Sequence, residues 1–140
     1  TVEIEKYFRL ILFNYLFSNG DAHLKNFSLL ETSSSDFILS PAYDLLDTRI
    51  HVSDNDFALH KGLFSEPAGS PLNHPDRRDF IRFGERVGIQ PFRMEQLIHP
   101  FTTRQDQVSD LVSRSFLNES TQRAYMLHYN TRRNLFNNGD

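Results

Sequence analysis

Between Val2 and Phe17 the apolar residues Val2, Ile4, Tyr7, Phe8, Leu10 to Phe13, Tyr15, Leu16 and Phe17 recur so densely that they go nearly all round a helical wheel. A helix of that kind is satisfied only by burial, so the rest of the chain must fold over it. Arg9 and Asn14 interrupt it, which leaves no apolar run of the roughly 18 residues that a membrane span requires. Ser18-Asn19-Gly20 ends it, because Asn and Gly accept positive φ and let the chain turn. At 140 residues the chain has enough length to bury one core around this helix, and one domain spanning 1–140 is expected.

The remainder sorts into a short β unit and a helical tail. Phe27 to Glu31 and Phe37 to Leu39 read as strands joined by the Ser-rich turn Thr32 to Asp36, with Pro41 ending the second. A further extended piece is expected from Asp56 to Leu63, and Ser65 to Pro75 reads as a loop. Pro75 suits the first turn of a helix reaching Val87, with Phe80, Ile81, Phe83 and Val87 inward and Gly88 as its stop. Pro91 opens a shorter helix to Ile98. Thr102 or Thr103 is expected to cap a helix to Leu117 with Val108, Leu111, Val112 and Phe116 inward, and Ser120 to Phe136 forms the last. The fold class expected is therefore mainly α with a small β-hairpin, an α+β arrangement.

Directly after the apolar helix, Asn19-Gly20-Asp21-Ala22-His23-Leu24-Lys25-Asn26 crowds polar chemistry into one loop. Asp21 and Asn26 lie five apart, the spacing between the base and the magnesium-ligating asparagine in a protein-kinase catalytic loop. Asp44 follows eighteen residues after Asn26, across the hairpin, so a tight loop and a returning strand can bring two carboxylates and an amide to one side. Mg²⁺ is a hard cation that takes such oxygens together with phosphate oxygens and water. Phosphoryl transfer asks mainly for positioning, which a base and a metal pair supply. Taken singly, Asp21 reads as a turn residue, Asn26 as a strand-entry turn and Asp44 as a helix cap; only the joint pattern points to metal and base.

N-G-D-A-H-L-K-N followed by L-S-P-A-Y-D resembles the HipA family of serine/threonine kinase toxins, whose catalytic loop is N-x-D-x-H-x-[KR]-N and whose metal-binding aspartate ends an S-P-x-[YF]-D turn. D-F-I-R-F-G-E-R-V-G-I and the helical remainder look like the same family's helical lobe. The resemblance implies the C-lobe of a protein-kinase-like fold, with Asp21 as catalytic base, Asn26 and Asp44 as magnesium ligands, and His23, Leu24, Lys25, Asn26, Tyr43 and Asp44 as nucleotide contacts. It further implies ATP and Mg²⁺ as cofactors, an aminoacyl-tRNA synthetase as protein substrate, and restraint by a HipB-like helix-turn-helix antitoxin through which alone DNA is met. The N-terminal ATP-binding lobe is not in these residues, and with Thr1 falling inside a helix the chain reads as a fragment whose activity alone is in doubt.

Other chemistries are less well served. His51, His60, His74, His99 and His128 show none of the close spacing of zinc ligands, so His23 reads as a hydrogen-bonding member of the loop, and Lys25 as either a phosphate neighbour or a solvated charge. The net charge of -3 and the acidic residues beside Arg77-Arg78 argue against a nucleic-acid or membrane surface. Cysteine is absent, which excludes disulfides and thiolate metal sites and suits a reducing cytoplasm. Lipid kinases and aminoglycoside-type phosphotransferases share the Asp-Asn spacing, but the S-P-A-Y-D turn speaks against them. A non-catalytic lobe that binds an antitoxin or another subunit is the rival from outside the enzymes.

Overall fold

The structure is a computed structural model that describes residues 2–53, 57–59, 63–64 and 74–138. Helix α1 (Val2–Leu16) holds no Gly or Pro, and Glu3 and Glu5 in its first turn complement the positive helix end. Its second half is the centre of the core: Phe8, Ile11, Leu12, Tyr15 and Leu16 are buried. The first turn departs from the expected all-round burial, with Val2 and Ile4 exposed.

Among the described residues two strands form, β1 (Leu29–Glu31) and β2 (Phe37–Leu39), antiparallel with Leu29 opposite Leu39 and Glu31 opposite Phe37. β1 begins later than the apolar pattern implied because Leu24–Asn26 closes into a 3-10 turn just ahead of it. The hairpin has no core face of its own. It is pinned to α1 where Glu3 Oε2 accepts the Leu39 N–H at 2.6 Å and where the Tyr7 and Phe27 rings meet edge to face at 5.1 Å.

Helix α2 (Arg77–Arg86) starts with a reciprocal capping box between Asp76 and Asp79, so Pro75 lies before the helix and not in its first turn. Helix α3 (Pro91–Thr103) runs past the expected end at Ile98, through Pro100, because Phe101 still packs against the core. Gly84 of α2 lies so close to Met94 of α3 that a Cβ there would overlap the Met94 Sδ. Phe80 ties α2 into the centre, with Phe8, Tyr15 and Phe136 rings all within 6.3 Å.

The expected helix 102–117 is corrected. Thr102 and Thr103 turn their hydroxyls back onto the His99 carbonyl within α3, and the chain restarts as α4 (Gln105–Ser113). There Ser115 Oγ takes the Val112 carbonyl at 2.7 Å, and Asn118 caps α5 (Glu119–Asn137) through the Thr121 N–H. The break leaves Leu111 and Phe116 on the surface while Val112 is buried. The extended piece 56–63 and the loop 65–75 lie largely outside the described residues. Five α-helices and one two-stranded sheet among the described residues make the chain mainly helical, α+β. No helix among them is long and apolar enough to cross a membrane.

Candidate active site

The site is built outward from the end of α1. Ser18 takes a positive φ of 54° and turns the chain, and Asn19 and Gly20 stay buried behind it. The Asn19 amide donates to Asn14 Oδ1 at 3.0 Å and to the Asp44 carbonyl at 2.8 Å, joining α1 to the segment that follows the hairpin. Thr48 makes a second tie: its hydroxyl accepts the Gly20 N–H at 3.0 Å and donates to the Ser18 carbonyl at 3.3 Å. Buried polar groups satisfied this way fix geometry, since any shift leaves one unpaired.

On this bed sits an exposed rim. The Asp21 carbonyl accepts the His23 N–H at 2.7 Å and the Asn26 Nδ2 at 2.9 Å, which curls the loop around Asp21. His23 Nε2 stands 3.4 Å from Asp21 Oδ1. Asn26 Nδ2 also faces Asp44 Oδ2 at 3.3 Å, and Asp44 holds a positive φ of 56°, which Asp tolerates better than most residues. The side chains of Asn26 and Asp44 are thus brought together across the hairpin. Asp21 joins them through its backbone, with its carboxylate turned toward His23. Tyr43 reaches Ser28 at 3.5 Å across the hairpin, and Leu24 and Lys25 are exposed on the rim.

Behind the bed lies Asp47, 3% exposed, whose Oδ1 accepts the Arg49 N–H at 3.0 Å and whose Oδ2 lies 2.9 Å from His128 Nδ1 on α5. Burial, with Asp47 nearby, pushes the neighbouring Tyr125 hydroxyl up to about 12. Asn14, Asp47, Thr48 and His128 pack against the candidate site without having been singled out by any motif in the sequence, whereas Asn19 opens the N-G-D-A-H-L-K-N stretch. Asn14 carried a signal as an amide set among Phe13, Tyr15 and Leu16 near the end of the apolar helix.

The donor chemistry fits a nucleotide-borne Mg²⁺. No group of three or more His, Cys, Asp or Glu capable of holding a metal occurs among the described residues, as a protein cage would need. One or two carboxylates with phosphate oxygens and water is the usual Mg²⁺ arrangement, and Asp44 with Asn26 supplies that share. Asn26 turns its nitrogen toward Asp44, so its oxygen would face a cation there only after the amide turns end for end.

Residues 1–109 match the family model of the HipA-like C-terminal domain. A Sinorhizobium fredii protein named "Putative kinase Y4dM" is 41% identical over 58 residues, covering 41% of this chain and 14% of that protein. A Haemophilus influenzae protein named "Putative kinase" is 27% identical over 126 residues, covering 79% of this chain and 35% of that protein. The chain therefore spans little more than a third of the length of these relatives at most. With the family match running over most of its length, the chain belongs to the family of HipA-like C-terminal domains.

Proposed function

We propose that residues 1–140 form the C-terminal lobe of a Mg-ATP-dependent serine/threonine protein kinase, the N-terminal ATP-binding lobe belonging to the rest of a longer protein. The observation that carries this reading is the Asn26 amide held between the Asp21 carbonyl and the Asp44 carboxylate. Asp21 takes the proton of the acceptor hydroxyl as that oxygen bonds to the γ-phosphorus and the bond to the β–γ bridging oxygen of the leaving ADP breaks. His23, 3.4 Å away, orients the Asp21 carboxylate. Asp44 and, once its amide turns end for end, Asn26 would hold the metal, while His23, Leu24, Lys25 and Tyr43 would line the nucleotide. The bound Mg²⁺ supplies neutralisation of the transferring phosphates. In its finer form the proposal is a cytoplasmic toxin kinase that acts on an aminoacyl-tRNA synthetase and is restrained by a HipB-like helix-turn-helix antitoxin.

The test is radiolabel transfer from ATP by the full-length protein, with nucleotide titration alongside. Asp21→Asn should lower transfer by about 10²- to 10⁴-fold and leave nucleotide affinity nearly unchanged, since the base acts on the acceptor. Asp44→Ala should weaken both, because a metal ligand serves ground and transition states alike. An Asp21→Asn protein that transfers phosphate at the wild-type rate overturns the assignment. A second reading, a non-catalytic interaction lobe, draws on the exposed Leu29, Leu30, Phe37 and Ile38 of the hairpin. That reading predicts no transfer by the full-length protein at all.

A further inference from the structure

Helix α5 lies beyond the residues 1–109 that match the family, yet it braces the candidate site from behind at two points. Tyr129 stacks on Phe17 with ring centroids 5.0 Å apart, immediately ahead of the Ser18 turn that leads to Asp21. His128 meets Asp47 at 2.9 Å, three residues after Asp44. Successive residues of one helix therefore hold the start of the catalytic loop and the end of the metal-bearing turn.

We propose that His128 is a positioning residue for the candidate metal site, fixing through Asp47 and Thr48 the spacing between the loop of Asp21 and Asn26 and the turn of Asp44. The inference rests on the magnesium-nucleotide reading above. The Asp47 side chain is 2% exposed, and His128 engages the one oxygen that the Arg49 N–H does not. A buried carboxylate that loses such a partner must move toward water or another donor. Thr48 moves with it, and Thr48 is the residue that bonds both the Gly20 N–H and the Ser18 carbonyl. The displacement then reaches Asp21 on one side and Asp44 on the other. Groups that hold metal ligands from behind tune affinity without touching the metal.

The experiment follows Mn²⁺ binding by electron paramagnetic resonance in the full-length protein with a non-hydrolysable ATP analogue present. His128→Leu should weaken Mn²⁺ binding about 10-fold, the low end for a supporting group, while His128→Asn, whose amide N–H can stand in for Nδ1–H, should stay within about 2-fold of wild type. Circular dichroism checks that each variant is folded. Should His128→Leu fail to fold, Thr48→Val, which removes only the hydroxyl from the same relay, is read in its place. The inference is overturned if the folded variant binds Mn²⁺ as wild type does while Asp44→Ala loses it. It is equally overturned if His128→Asn is as weak as His128→Leu, for then side-chain bulk and not the hydrogen bond is at issue. Unchanged binding in Asp44→Ala instead fells the magnesium reading itself, and the inference with it.

Discussion

Asn19 and Asn26 are the same residue type, seven positions apart, and each points its amide nitrogen at Asp44. Asn19 is 1% exposed and takes the Asp44 backbone carbonyl at 2.8 Å, while Asn26 stands at the rim and faces the Asp44 carboxylate at 3.3 Å. The difference separates two jobs. The buried bed holds the backbone of the site, and the exposed rim keeps its charged atoms accessible. Chemistry-bearing side chains can then be solvated, and exchange partners with a ligand, without loosening the loop that carries them.

The largest stability effect should therefore fall on the bed. Asn19→Leu deletes three amide hydrogen bonds, strands the buried Asn14 oxygen and frees the Asp44 carbonyl and the Asp21 N–H, at a cost of about 3 kcal/mol. Asn26→Ala should stay within about 0.5 kcal/mol, the usual range for rim substitutions. Denaturant unfolding of the two variants compares them directly, and equal losses would break the distinction. Thr48→Val comes next, at about 1 kcal/mol for one buried hydroxyl that both donates and accepts.

The rim was legible in the sequence, and of the bed only Asn19 was, through the motif it opens. Asp21, Asn26 and Asp44 stand at the spacings of the family's motif, so their pattern survives being read as a string. Asn14, Thr48 and His128 act through contacts up to 81 residues apart, and each is an ordinary polar residue until the fold brings it to its partner. The same limit explains the tail. The apolar positions Leu111 and Phe116 kept a helical period, but Ser115 and Asn118 broke the helix by local hydrogen bonds that compete with continuation. The helix α1, by contrast, was marked by composition alone, since so dense an apolar run has no other stable home.

Asp44 sharpens the comparison at a smaller scale. Its φ of 56° is a conformation glycine adopts freely, and a carboxylate kept there has a reason other than the backbone. Asp44→Gly should leave unfolding stability within about 0.5 kcal/mol, relief of the left-handed strain offsetting the added freedom of the unfolded chain. A loss as large as that of Asn19→Leu would place the Asp44 side chain in the bed.

The smallest effect concerns how the hairpin is fastened. Hydrogen bonding from Lys6, and then from the Leu39 N–H, holds the Glu3 carboxyl below the ordinary glutamate range. A lowered native pKa means the fastening is present in full above the ordinary glutamate value and is lost as pH falls through the lowered one. The Gly20 N–H, which bonds the Thr48 hydroxyl, has no carboxylate partner to lose. Amide-exchange protection of Leu39 should thus decline on acidification relative to Gly20, and Glu3→Gln should remove that decline. Parallel loss at both amides would mean that the hairpin and the bed open as one unit, and the division between an adjustable rim and a fixed support would not survive it.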